Sequence, residues 1–420
     1  MTHHVPISKT RLLAQVTRLF SRQRSGTAPA KRRPQPSLDK LSRRIILPSI
    51  PVTEEEMTRV AFQDLGQKLA RQEMWSKLSD RIIEADRTRS GTPGGESAAM
   101  LMGFGARNDV VAMAEDSLHD GVIPDHHGID ALDRLAEDHP DDYPVHAIVA
   151  LAHVDMARAW RSVPGAAALS GADDRAAHHT ARAQSLLASY SASDLDAPSL
   201  AAAQCALLRA APDATALQVA DEYEQLIDLD PASPPNMRAL GATVLAVEPG
   251  NFPQLELEAR RIAVRTASLW GAGGYTWVYL DALALDSKAL ALLDPAFFID
   301  GLRDILRRCP DQNTANLMAA FCAVTMRAGD DPGAAHEAVR TALHDCLTWI
   351  LRDHLHELHP LIWTQALHCP GAGHLPPRRA LISEGRSTAL SAIAAQFADD
   401  IARGQSIAFS PAGMYMLPSL

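Results

Sequence analysis

Thr53-Glu54-Glu55-Glu56-Met57-Thr58-Arg59-Val60-Ala61-Phe62-Gln63-Asp64-Leu65-Gly66-Gln67-Lys68-Leu69 is the stretch on which the reading of this chain turns. Thr53 offers a capping hydroxyl, and the glutamates behind it place negative charge on the positive end of a helix dipole, one of them at the third position of a capping box. Phe62, Leu65, Gly66 and Leu69 then fall at i, i+3, i+4 and i+7, which is one stripe of a helix. Leu78, Ile82 and Ala85 continue the spacing on a second helix. Gly66 has no side chain, so a second helix can cross closely there.

This pair of helices resembles a tetratricopeptide repeat, a helix–turn–helix unit of about 34 residues. The family pattern needs a small residue at the tight crossing, which is Gly66 here, and a proline that stops the second helix, where this sequence has Ser90. The same order returns in Val219, Tyr223, Leu226, Asp230-Pro231, Met237, Leu240 and Gly241. It returns more weakly in Leu132, Leu135, Pro140, Val149 and Ala150, and in Leu302, Ile305, Pro310, Ala319 and Ala320. Pro140, Pro231 and Pro310 are 91 and 79 residues apart, so any array is degenerate. The resemblance implies an all-α fold, a right-handed α-α superhelix of antiparallel helix pairs, and a curved surface that binds another protein.

Composition agrees with helices. Alanine, the best helix former, occurs 71 times in 420 residues, against 5% aromatics, and no alternating run of strand formers is present. Hydrophobic content of 47% excludes wholesale disorder. No run approaches the ~18 apolar residues of a spanning helix, which excludes an integral membrane protein of that kind. Cys205, Cys309, Cys322, Cys346 and Cys369 include no C-x-x-C pair and read as thiols of a reducing cytoplasm. The Arg, Ala and Asp bias suggests a GC-rich bacterial genome. Caps and breakers predict helices over 143–161, 172–190, 196–211, 213–229, 253–270, 295–308, 332–358 and 377–403.

The net charge of −10 is unevenly spread. Residues 1–50 hold eleven Lys and Arg against Asp39, a charge of +10, which leaves −20 on the remainder. Leu12, Leu13, Val16, Leu19 and Phe20 share one helical stripe, with Arg11, Arg18 and Arg22 opposite. Lys31, Arg32 and Arg33 sit in a Pro- and Ser-rich tether behind it. The expected organisation is a basic, largely flexible arm over 1–50, a helical-repeat body over 51–410 and a loose or docked tail over 411–420. The arm suits an anionic membrane surface, a nucleic acid or an acidic partner, or serves only as a solubilising tail. The expected location is cytoplasmic, at a membrane face if the arm binds one.

Chemistry-bearing patterns are sparse. Gly91-Thr92-Pro93-Gly94-Gly95-Glu96-Ser97 opens a helix, as an anion-holding loop would, but lacks the Walker lysine and reads as an inter-helix loop. His354, His356, His359, His368 and His374 cluster near Cys369 without H-E-x-x-H spacing. Ser37 and Lys40 have dyad spacing inside the tether, and no G-x-S-x-G exists. No catalytic residue, metal or cofactor is therefore expected. Arg261 and Arg265 precede Trp270, Tyr275, Trp277 and Tyr279, which are four of the twelve Trp and Tyr residues. Arginine and aromatics are the types enriched at binding hot spots, so Arg261, Arg265, Trp270, Tyr275 and Trp277 are candidate partner-binding residues. The competing reading makes the aromatics core anchors and pairs the arginines with Glu256 and Glu258. The leading function is a non-enzymatic protein-binding scaffold; the alternatives are an enzyme or small-ligand binder with a pocket near Arg261 and Trp277, and surface association through the arm.

Overall fold

In the computed structural model of the chain, residues 38–211, 213–327, 336–368 and 376–418 are described. Arg11, Arg18, Arg22, Lys31, Arg32 and Arg33 of the arm lie outside them, as do Cys369 and His374. The fold is all-α with one small sheet. Contacts divide the chain into two units, Glu54–Leu269 and a second made of Met1–Thr53 with Trp270–Leu420. A body read as one array over 51–410 is thus two contact units.

The Glu54–Leu269 unit holds α1 (Glu54–Arg71), α2 (Trp75–Thr88), α3 (Ala98–His119), α4 (His127–Asp138), α5 (Tyr143–Ser162), α6 (Ala172–Leu187), α7 (Pro198–Ala210), α8 (Ala216–Leu229), α9 (Pro234–Val247) and α10 (Phe252–Arg265). Their ends are set by local chemistry. Ser97 accepts from Met100 N at the start of α3, Asp142 from Val145 N at α5, and Asn251 from Gln254 N at α10. Thr215 and Gln218 close a capping box on α8. Prolines occupy the first turns of α5, α7, α9 and α10, where no amide partner is lost. Where the repeat pattern has a proline after its second helix, α2 ends instead on Arg89 in the left-handed region at φ 51°.

The odd-numbered helices pack in succession, α1 on α3, α3 on α5, α5 on α7 and α7 on α9. The even-numbered ones flank them: α2 on α1 and α3, α4 on α5, α6 on α5 and α7, α8 on α7 and α9, α10 on α8 and α9. The crossing of α1 and α3 is backbone against backbone. A Cβ on Gly66 would sit 2.0 Å from the Met102 carbonyl oxygen, and one on Gly105 would sit 1.9 Å from that of Gln63. Leu69, Leu78, Ile82, Ala98, Ala99, Met102 and Ile148 fill the space beside it as one core cluster. Burying each large member contributes about 1.5–3 kcal/mol.

A buried carboxylate ties three of these helices. Asp86 of α2 accepts from Ser199 N at 3.0 Å, Ser199 Oγ at 2.6 Å and Tyr143 Oη at 3.0 Å, so it caps α7 from a neighbouring helix and holds the start of α5. Burial pushes its carboxyl above the usual range, while the Ser199 and Tyr143 bonds oppose that.

The second unit holds the helix Leu38–Arg44, α11 (Gly273–Leu285), α12 (Pro295–Arg308), α13 (Gln312–Ala320) running into a π-helical turn at Phe321–Thr325, α14 (Glu337–Asp345), α15 (Leu347–Asp353), α16 (Pro360–Leu367) and α17 (Arg378–Gln396). Its sheet joins β1 (Ile45–Ile46), parallel, to β2 (Ser406–Ser410), which pairs antiparallel with β3 (Gly413–Leu417). Residues assigned to the arm and the tail therefore include two of the three strands. Gly413 takes φ 118° in the hairpin, a value open to glycine alone, and buried Ile407 and Phe409 alternate with outward positions on β2. Among the described residues no helix is long and apolar enough to cross a membrane.

Candidate functional site

The five candidate partner-binding residues fall on the two sides of the division between Leu269 and Trp270. Arg261 and Arg265 stand one turn apart on α10 and face α8. Arg265 Nη2 donates to Glu224 Oε2 at 2.8 Å and Nη1 to Asp228 Oδ2 at 2.8 Å. Arg261 Nη1 lies 3.2 Å from Glu258 Oε1 and 3.9 Å from Glu224 Oε1. Arg260 pairs with Glu256 at 2.6 Å. The expected pairing with Glu256 and Glu258 thus holds for Arg260 and Arg261, and Arg265 adds Glu224 and Asp228.

Glu258 anchors this ladder from inside. It is fully buried, its Oε1 also accepts from Gln254 Nε2 at 2.7 Å, and its Oε2 has no hydrogen-bond partner. Burial raises its carboxyl above the usual range, Arg261 opposes this, and Glu224 reinforces it. The outer face of α10 remains open. Leu257 and Val264, two turns apart, are 45% and 78% exposed, and the side chains of Arg261 and Arg265 keep 46% and 41% of their surface. Leu257 and Val264 thus stand in solvent beside guanidiniums held by carboxylates, a surface that the sequence reading did not pick out; the signal was the i, i+7 pair Leu257 and Val264 on the solvent side of the predicted helix.

The aromatics belong to the core of their own unit. Trp270, Tyr275 and Trp277 are 3%, 0% and 2% exposed. Trp270 meets Trp277 edge to face at 5.9 Å, and Tyr275 lies 5.0 Å from Tyr279 and from Phe297. Tyr275 Oη accepts from Asp294 N at 2.9 Å, at the cap of α12. Gly271 has φ 56°, and a Cβ there would sit 2.2 Å from Asp304 Oδ2, which accepts from Ala272 N. The glycine turn is thus a joint for packing the aromatics, and their rings present no surface to a partner.

The glycine-rich loop at 91–97 already holds an anion, the chain's own Glu55. Its carboxylate accepts from Thr92 Oγ1 at 2.7 Å and from Gly94 N at 2.6 Å, and Arg59 bridges it to Glu96. Burial raises the Glu55 pKa, against the Thr92 and Gly94 bonds. The histidine-rich segment is clamped by its backbone. Gln312 Oε1 accepts from His356 N and Glu357 N, and Asn316 donates to Glu357 O while accepting from His359 N and Trp363 Nε1. His368 pairs with Glu384 at 2.8 Å. Among the described residues no group of three or more His, Cys, Asp and Glu is arranged to hold a metal ion.

One titratable cluster escaped the sequence reading. His153 of α5 and His179 of α6 meet at 2.9 Å between their Nδ1 atoms, and His153 Nε2 lies 3.2 Å from Asp133 of α4. Neither histidine has a motif around it, and only the packing of α4 and α6 on α5 brings the three together. No protein-family model matches the chain, and no curated protein or solved structure matches it either.

Proposed function

We propose that the protein is a non-enzymatic scaffold that binds another protein, built on tetratricopeptide-like helix pairs over Glu54–Leu269. The carrying observation is the order of packing, in which each odd-numbered helix lies on the next and each even-numbered one flanks the row. A stack of this kind, continued as a right-handed superhelix, gives an extended surface rather than a closed pocket. The buried ionisable groups Asp86, Glu55 and Asp155 are all bonded into the frame, which suits a structural role better than acid–base chemistry.

The contact face we assign is the outer side of α10. Leu257 and Val264 supply apolar area, and Arg261 and Arg265 supply the directional bonds of a hot-spot rim, their guanidiniums pre-ordered by Glu224 and Asp228. Pre-ordering lowers the entropy lost on association. The basic arm is a separate means of attachment, to an anionic membrane surface or an acidic partner. The test is a quantitative pull-down from the source organism with the full chain, followed by titration of the recovered partner. Leu257→Asp with Val264→Asp should abolish saturable binding while circular dichroism and melting temperature stay unchanged, and Arg261→Ala should weaken it about tenfold, as expected for one hot-spot side chain. Binding that survives the double substitution removes α10 from the interface; the absence of any saturable partner removes the scaffold reading.

A further inference from the structure

α5 is enclosed on nearly every side, by α2, α3, α4, α6 and α7, and most of its residues are buried. α6 covers the part that carries Trp160, which shares a core cluster with Ala176, and Arg175 lies over the Trp160 ring at 5.1 Å. α5 and α6 are joined by His146 Nδ1 with the Leu186 carbonyl at 3.3 Å, by Arg161 Nη2 donating to Thr180 Oγ1 at 3.5 Å, and, deepest in the packing, by the His153–His179 pair. His153 is 1% exposed and His179 9%.

A 2.9 Å contact between two imidazole Nδ1 atoms is a hydrogen bond, and it requires one protonated and one bare nitrogen. Asp133 Oδ1 receives Arg182 Nε at 2.8 Å and His153 Nε2 at 3.2 Å. An ionised carboxylate only accepts, so His153 Nε2 carries a proton. In the neutral pair His153 Nδ1 is then bare and His179 Nδ1–H donates to it. One further proton from water is accommodated: it adds to His179 Nε2, and the bridging proton can sit on either ring, beside Asp133 when on His153. A second leaves both Nδ1 atoms protonated, so the bond is lost and two cations face each other in a buried place.

We propose that the His153–His179 pair is an acid-operated latch, which fastens α6 to α5 while the rings share a proton and releases α6, uncovering α5, when both rings are charged. The surrounding charges fit that behaviour. Asp133 from α4 favours the first added proton, while Arg175, Arg182 and His178 from α6 crowd the site with positive charge. From α5, Asp155 is committed to Arg107 and Arg158. The charged residue of α7, Arg209, acts on Cys205 and Tyr223. Burial first, then the charges of His153 and His178, hold His179 down to about 4. A ring that regains an ordinary value near 6.5 once α6 lifts makes the opening about tenfold more favourable per pH unit between those limits.

The test is hydrogen exchange of the full-length chain between pH 7 and 4.5, corrected for intrinsic rates, with α8 amides as internal reference. Protection of the α6 amides should fall about tenfold per pH unit below pH 6.5 while α8 holds, and His179→Gln, whose amide can still donate to His153 but cannot be charged, should abolish the fall. Equal pH dependence in α6 and α8, or an unchanged fall in His179→Gln, would overturn the latch. If His179→Gln does not fold, ring nitrogen shifts of the wild-type protein decide. Two charged rings appearing together with α6 exchange support the latch; α6 opening before either ring changes refutes it.

Discussion

Gly66→Ala gives the stacking of α1 on α3 a signed test. In an exposed helix interior, alanine for glycine stabilises by about 1 kcal/mol through helix propensity. At Gly66 the added Cβ would lie 2.0 Å from the Met102 carbonyl oxygen, whereas ordinary contact begins near 3.4 Å, so the two helices must part by about 1.4 Å. The obstacle is backbone, which cannot rotate away as a side chain can. Sliding gives no relief, since Gly105 is as close to the Gln63 carbonyl from the other side. Parting the helices loosens Leu69, Ala98, Ala99, Met102 and Ala106 together. Overpacking costs about 1–3 kcal/mol, and the rigid obstacle places this site at or above the top of that span. Against the propensity gain the net destabilisation is about 2 kcal/mol. The assay is urea unfolding read by hydrogen exchange of α1 and α3 amides, with exposed Ala61→Gly on α1 as the control for propensity alone, expected to cost about 1 kcal/mol. A stabilised Gly66→Ala protein would refute the close crossing.

Trp277→Ala should destabilise by about 3–5 kcal/mol in thermal or urea unfolding, as a core deletion does, while Arg265→Ala should stay within about 1 kcal/mol, as a half-exposed ion pair does. Asn316→Ala removes two donated and two accepted bonds at the histidine-rich segment and should cost about 3 kcal/mol; Asn316→Asp, which cannot donate to the Gln312 and Glu357 carbonyls when ionised, should recover stability as the pH falls through its pKa in urea titrations. Burial would raise Asp155, but Arg107 and Arg158 overcome it and hold the carboxyl below the usual range, so its contribution is full above the unfolded carboxylate pKa near ~4 and is lost as pH falls through the lower folded value. Arg107→Met should therefore cost about 3–5 kcal/mol at pH 7 and less at pH 3, measured by urea unfolding at both.

Helices announced by caps were legible in sequence. The prediction over 295–308 coincides with Pro295–Arg308 because Asp294 and Pro295 fix its start, and that over 143–161 falls one residue short of Tyr143–Ser162. The expected long helix over 332–358 is instead broken at Cys346 and His354, where no proline or glycine marks the break. The hairpin Ser406–Ser410 and Gly413–Leu417 was hidden because its parallel partner, Ile45–Ile46, lies about 360 residues away in sequence and is brought to Ser406–Ser410 only by the fold. Gly66 was read correctly as a tight crossing, yet the helix it admits is α3, not the adjacent α2, since a sequence stripe names a face and not its occupant. The same limit hid the His153–His179 contact and the anion in the glycine-rich loop. Each joins residues whose chemistry is unremarkable until packing puts them within 3 Å.

The claim at the centre is that the Glu54–Leu269 stack exists to hold another protein. Hydrogen-exchange footprinting of the full chain, free and saturated with the partner recovered from its source organism, tests it most directly. The account predicts protection concentrated on α10 over Phe252–Arg265 and on the facing surface of α8. A footprint confined to residues outside Glu54–Leu269, or none at saturation, would contradict it.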